Sequence, residues 1–158
     1  FQSENLAEVI QRVLEETKLP AACLELELTE SMFMEHAERS IDTLKTLKAP
    51  GIQLAIDDFG TGYSSLTYLK RFPIDKLKID QSFVRGLAHD PNDREIAATI
   101  IAMARGLKLS VLAEGVESEQ QLAFLRQHGC DYYQGFLFHR PAPAKELEAW
   151  LREHSAQP

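Results

Sequence analysis

Cysteine is scarce in this 158-residue chain: two occur, Cys23 and Cys130, each alone in apolar company. A disulfide framework and a cysteine-based zinc site are thereby excluded, and two buried free thiols in a reducing compartment are expected. Long apolar runs are lacking as well. The longest, Ile96 to Ala104, is far short of a membrane span, and no stretch reads as a signal peptide. Positive charge is the minority, 17 Lys and Arg against 24 Asp and Glu, for a net charge of -7. Nothing forms a basic face, which argues against a nucleic-acid polymer as partner. A small phosphate ligand stays open, because bound divalent cations can supply positive charge locally. His36, His89, His128, His139 and His154 lack ligand spacing and read as surface or cap residues. No serine or cysteine sits in a nucleophile elbow.

What is present is an ordinary globular composition, 44% apolar and 26% charged, with chain enough for one domain and one core. Helix and strand patterns alternate over short links. Leu6, Val9, Ile10, Val13 and Leu14 recur at helical spacing, so a helix is expected over Glu4 to Thr17. Strand patterns follow at Leu24 to Thr29, Gln53 to Asp57, Lys76 to Asp80, Ser110 to Ala113 and Asp131 to Gly135. Between them lie helices at Met34 to Leu47, a short one ending at Leu69, Asn92 to Gly106, and one from Ser118 to Gly129. Ser118 with Gln121 makes a capping box for the last of these, and Pro143 opens a final helix through Leu151. Met32, Phe33 and Met34 are expected to fill a core gap.

Strands separated by helices mean parallel β/α units, in an open doubly wound sheet or a (β/α) barrel of TIM type. Each strand ends in an ionisable or amide group: Glu27, then Asp57 and Asp58, then Lys78 and Asp80, then Glu114, then Gln134. A barrel draws its site from several strand ends, whereas an open sheet concentrates it at one switch point. The distribution therefore favours a barrel. Alternation puts Leu77 and Ile79 against helices and Lys78 and Asp80 toward the mouth, and it sets Leu24, Leu26 and Leu28 opposite Glu25 and Glu27. Carboxylates gathered at one mouth repel one another unless cations neutralise them, and hard oxygen donors in that number suit Mg²⁺ or Mn²⁺. The glycine-rich stretch Phe59 to Ser65 could cradle phosphate or be a flexible turn. It is no Walker loop, having no lysine, and no dinucleotide fingerprint, since Ser65 stands at the third glycine position.

Glu27-Leu28-Thr29-Glu30, Asp57-Asp58-Phe59-Gly60-Thr61-Gly62-Tyr63-Ser64-Ser65, Leu77-Lys78-Ile79-Asp80, Ala113-Glu114-Gly115-Val116-Glu117 and Gln134-Gly135-Phe136 occur in order. Together they resemble the EAL-type cyclic di-GMP phosphodiesterases, bacterial barrels that linearise this second messenger to pGpG. The resemblance implies a two-metal Mg²⁺ or Mn²⁺ centre on Glu27, Asp57, Asp58 and Glu114. It also implies Lys78 at the attacking water and Gln134 positioning water or ligand, with Glu114 sharing in catalysis. Glu30 would anchor the glycine loop, Glu117 and Asp80 would support the metal acids, and Gly60, Thr61, Gly62, Gly135 and Phe136 would meet the substrate. A cytoplasmic location follows from the same likeness.

The Glu-Ala-Leu signature itself is absent, as is the Asn-Leu-Ser metal ligand, for which Asn5-Leu6-Ala7 in the opening helix is no substitute. The expectation is an incomplete barrel, the C-terminal two-thirds of one such domain, beginning at Phe1 without a methionine. Open strand edges would favour a homodimer or a domain-exchanged oligomer. No direct membrane contact is expected of this segment. Hydrolysis leads among the functions. A non-catalytic cyclic di-GMP receptor and a dimerising scaffold are the alternatives.

Overall fold

The computed structural model describes residues 6–29, 37–62 and 66–154, residues 37–40 by their backbone alone. Helix α1 (Leu6–Thr17) leads through a 3-10 turn (Ala21–Cys23) into β1 (Glu25–Thr29). Then come α2 (Ala37–Lys48), β2 (Gln53–Phe59), α3 (Leu66–Leu69), β3 (Lys76–Ile79), α4 (Gln81–Gly86) and α5 (Pro91–Gly106). The chain finishes with β4 (Ser110–Ala113), α6 (Glu119–His128), β5 (Tyr132–Tyr133) and α7 (Ala144–His154).

The five strands pair in sequence order, β1-β2-β3-β4-β5, and each pairing is parallel. A doubly wound sheet would reverse its order at a switch point. Here the winding runs one way throughout, so the sheet is an arc of a TIM-type barrel, and the barrel is not closed.

Helices cover the convex side. Leu28, Leu54, Ile56, Leu77, Ile79 and Val111 point into them and are buried against Leu44 and Leu47 of α2, Ala97, Ile101 and Ala104 of α5, and Leu122 and Leu125 of α6. Because side chains alternate, the other half of each strand faces the concave side, which carries the polar residues. At the foot of the sheet, Asp75 accepts from Leu54 N (2.9 Å) and pairs with Lys48 (2.5 Å), joining α2 to the starts of β2 and β3.

Several expectations are corrected. The run Asp131 to Gly135 keeps only Tyr132–Tyr133 in the sheet, because the carbonyl of Gln134 turns to accept from Val116 N and that of Gly135 accepts from Phe138 N and His139 N. Helix α4 was not foreseen: six residues are too few for a periodic pattern. Its one signal is Asp80, whose carboxylate accepts from Ser82 N at 2.9 Å as an N-cap. Cys23 is exposed, not buried, since the 3-10 turn that carries it lies at the surface. Cys130 is buried as expected. Met32, Phe33, Met34, Glu30 and His36 lie outside the described residues.

Candidate metal centre

The strand ends converge on one side chain. Lys78, on β3, is only 4% exposed. Its Nζ lies 2.7 Å from Glu27 Oε1, 2.9 Å from Asp57 Oδ1 and 2.8 Å from Glu114 Oε1. Those carboxylates come from the middle of β1, the C-terminal half of β2 and the residue after β4. Burial pulls the lysine pKa down, but hydrogen bonds to Glu114, Glu27 and Asp57 outweigh it and hold the pKa above the ordinary lysine value. Lys78 is therefore an ammonium at neutral pH.

One cation does not balance the acids around it. Asp57, Asp58 and Glu114 each offer a carboxylate oxygen within 4.8 Å of the others. Glu27 stands outside that close group and joins it through Lys78. Burial, then Asp57 and Asp80 nearby, raise the Asp58 pKa. Burial also acts to raise Asp80, but Ser82 hydrogen bonds prevail and lower it, keeping this cap ionised. A tight group of hard oxygen donors with excess negative charge is the donor set that Mg²⁺ or Mn²⁺ takes.

Adjacent residues on a strand should face opposite sides of the sheet. Asp57 and Asp58 escape this because the β2–β3 register shifts between Ile56 and Phe59, and Asp58 adopts a left-handed backbone with φ 52°. The bulge turns both carboxylates toward Glu114. A non-glycine residue held there is strained, and such strain gathers at functional sites. Thr61 closes the turn, its Oγ1 donating to Asp58 O at 2.9 Å. Gly60, Thr61 and Gly62 continue that exposed turn.

Beside the centre lies a cleft of about 700 Å³ whose walls include Gln81, Arg85, Glu117, Gln134, Phe136 and Arg140. Gln134 is held by its backbone, donating to Ala113 O at 2.9 Å and accepting from Val116 N at 3.0 Å. Gly135 presses on the backbone of Val116, where a Cβ would collide with its carbonyl oxygen and nitrogen. Phe136 is 49% exposed, with the Arg140 guanidinium 4.5 Å from its ring centre. Glu117 donates its N–H to Gln121 Oε1 at 2.7 Å, so the α6 capping box also shapes this wall.

Thus Glu27, Asp57, Asp58, Lys78 and Glu114 meet at one mouth, with Asp80 behind Asp58. Gln134, Gly135, Phe136 and Glu117 line the adjoining cleft. Sequence reasoning missed Arg85 and Arg140. Neither ends a strand, and only the folded loops bring them to one wall. His128 bonds Phe124 O through Nδ1 at 2.8 Å, and His139 and His154 pack on Trp150, consistent with structural roles. Among the described residues, no helix is long and apolar enough to cross a membrane.

Comparison with known proteins identifies the family. The chain is 49% identical over 150 residues to the cyclic di-GMP phosphodiesterase NbdA of Pseudomonas aeruginosa, covering 95% of this chain and 19% of that protein. It is 42% identical over 145 residues to the cyclic di-GMP phosphodiesterase PdeR of Escherichia coli, covering 92% of this chain and 22% of that protein. The chain thus spans about a fifth of the length of these curated relatives. Among solved structures, the PaMucR phosphodiesterase in complex with c-di-GMP superposes with a TM-score of 0.89 at 46% identity, over 92% of this chain and 59% of that one. The Klebsiella pneumoniae BlrP1 complex with manganese and c-di-GMP gives a TM-score of 0.82 at 33% identity, over 89% and 36%. The EAL domain model matches residues 1–141, and with these relatives it shows that this chain belongs to the EAL domain family.

Proposed function

We propose that the domain to which this chain belongs hydrolyses cyclic di-GMP to linear pGpG with Mg²⁺ or Mn²⁺. The observation that carries the reading is Lys78, buried and held by carboxylates from three strand ends beside the Asp57–Asp58–Glu114 group. These acids and Glu27 would hold the metal. When bound, a divalent pair supplies an activated water and charge stabilisation at the phosphate.

The protein's own groups do the rest. The Lys78 ammonium would donate to the attacking water and balance the phosphate charge. Gln134, fixed by its backbone, orients water or ligand at the cleft edge. The exposed Phe136 ring offers a stacking face for a guanine base, with Arg140 and Arg85 placed for phosphate or base edges. Glu117 and Asp80 support the acids, and Gly60, Thr61 and Gly62 flank the substrate path.

The chain forms one portion of a single cytoplasmic domain and is weakly active or inactive alone. Its sheet is open, and it matches 59% of the PaMucR structure. The open edges favour a homodimer or domain-exchanged oligomer.

The test is cyclic di-GMP turnover with Mg²⁺ or Mn²⁺, on this chain and on one extended upstream through further strands. Turnover in the longer chain, lost on Lys78→Ala or Asp57→Ala, is expected. Tight nucleotide binding without turnover in either would replace the hydrolase with a receptor.

A further inference from the structure

One layer below the centre, the concave face repeats its charge pairing. Two residues before Glu27, Lys78 and Gln134 stand Glu25, Lys76 and Tyr132, which alternation puts on the same face. Lys76 Nζ lies 2.6 Å from Glu25 Oε2, with the side chains 18% and 26% exposed. The same Nζ sits 5.1 Å from the centre of the Tyr132 ring. Lys76 thus touches β1 on one side and β5 on the other.

Glu25 and Lys76 are separated by β2, yet they meet. Ala55 permits it: paired with Glu27 on β1 and with Lys76 on β3, it is fully buried and offers nothing beyond Cβ to block the contact. Tied in this way are β1 and β3, which supply Glu27 and Lys78, and β5, which leads into Gln134. Among the described elements β1 pairs only with β2 through its backbone, so this bridge joins the Glu27–Lys78 contact as a side-chain tie from β1 to β3.

An isolated, half-exposed ion pair adds little to stability. A short charge-assisted hydrogen bond does set distance and direction. Resting on the metal-centre reading above, we propose that Glu25 and Lys76 are a positioning pair that sets β1 against β3 and so aims Glu27 at Lys78 and the neighbouring acids. Tyr132 caps the lysine from the far side.

The pair is neutral, so its role as a spacer separates cleanly from any effect of its field. The full-length protein is titrated with Mn²⁺ by calorimetry as wild type, Glu25→Gln, Lys76→Met and the exchanged double variant Glu25→Lys with Lys76→Glu. Positioning predicts that both single variants weaken Mn²⁺ binding, by about tenfold, the loss typical of partners behind metal ligands. The exchange restores it. A pure field effect predicts opposite signs, weaker for Glu25→Gln and tighter for Lys76→Met. Opposite signs, unchanged affinity in both, or failure of the exchange to restore binding would each overturn the proposal.

Asp57→Asn separates this from the underlying reading. Should wild type bind no Mn²⁺, or Asp57→Asn bind as wild type does, the metal centre itself is wrong and the pair has nothing to position. Thermal unfolding without Mn²⁺ checks that each variant folds. One that does not is replaced by Glu25→Asp or Lys76→Arg, which keep the charge, change the reach and are expected to weaken binding.

Discussion

Replacing Lys78 with methionine tests the centre most directly. The change keeps the buried stem and removes the ammonium that Glu27, Asp57 and Glu114 share at 2.7 to 2.9 Å. Removing one partner of a fully buried ion pair costs about 3–5 kcal/mol, because a buried charge is left behind. Here the three acids are 47%, 23% and 18% exposed, so water screens part of their repulsion and about 2 kcal/mol is expected. For a chain of this size that is a fall in Tm of about 4–8 °C without metal.

The pH dependence has a definite sign. The folded pKa of Lys78 is raised, so its stabilisation is complete below the ordinary lysine pKa of 10.5 and fades only as pH climbs through the raised value. The full difference between variant and wild type is therefore present at neutral pH. Mn²⁺ should then stabilise the variant more than the wild type, since the cation replaces the lost charge and no longer competes with the lysine. In the chain extended upstream, the proposed hydrolysis predicts that turnover falls by about a hundredfold or more, as for loss of a group acting at the attacking water. Fluorimetric unfolding with and without Mn²⁺ measures the first effect. Equal Tm values without metal, or equal gains with it, would refute the reasoning.

Three further outcomes follow from other parts of the structure. Burial and its acidic neighbours raise the Asp58 pKa, so its proton favours the fold below the ordinary aspartate pKa of 3.8, and that contribution is lost as pH rises. Mn²⁺ affinity should accordingly decline on acidification from a higher pH than an ordinary aspartate would give, and Asp58→Asn should flatten that acid limb in calorimetry. Burial pushes the Cys130 thiol up to about 11, whereas Cys23 is exposed; iodoacetamide at about pH 8 should label one thiol quickly and the second only in denaturant, and equal labelling by mass spectrometry would contradict the fold. Gly135→Ala forces a Cβ onto the Val116 backbone; a loss of about 1–3 kcal/mol by denaturant titration and weaker cyclic di-GMP binding are expected.

Much of the fold is local and was legible. Period-two alternation marked Lys76 to Asp80, with its lysines on one face, and Ser118 with Gln121 announced the start of α6. A motif of Asp57 and Asp58 followed by a glycine turn pointed to the site without structure. Short elements were harder: α4 is too brief to show a period, and the sheet segment of β5 is two residues because the Gln134 carbonyl turns to Val116 N and that of Gly135 to Phe138 N. Cys23 was misplaced because apolar neighbours in sequence do not guarantee burial when a surface turn carries the residue.

The sequence by itself determined which residues could be chemical and that they stand at the ends of parallel strands. Tertiary structure decided how they meet. Alternation alone would send Asp57 and Asp58 to opposite faces, and only the shifted β2–β3 register and the left-handed turn at Asp58 bring both to Glu114. Likewise Arg85 and Arg140 share a wall with Phe136, and Glu25 reaches Lys76 across Ala55, through strand register and loop return. Those are set by pairing between residues far apart in the chain, where the local period carries no information.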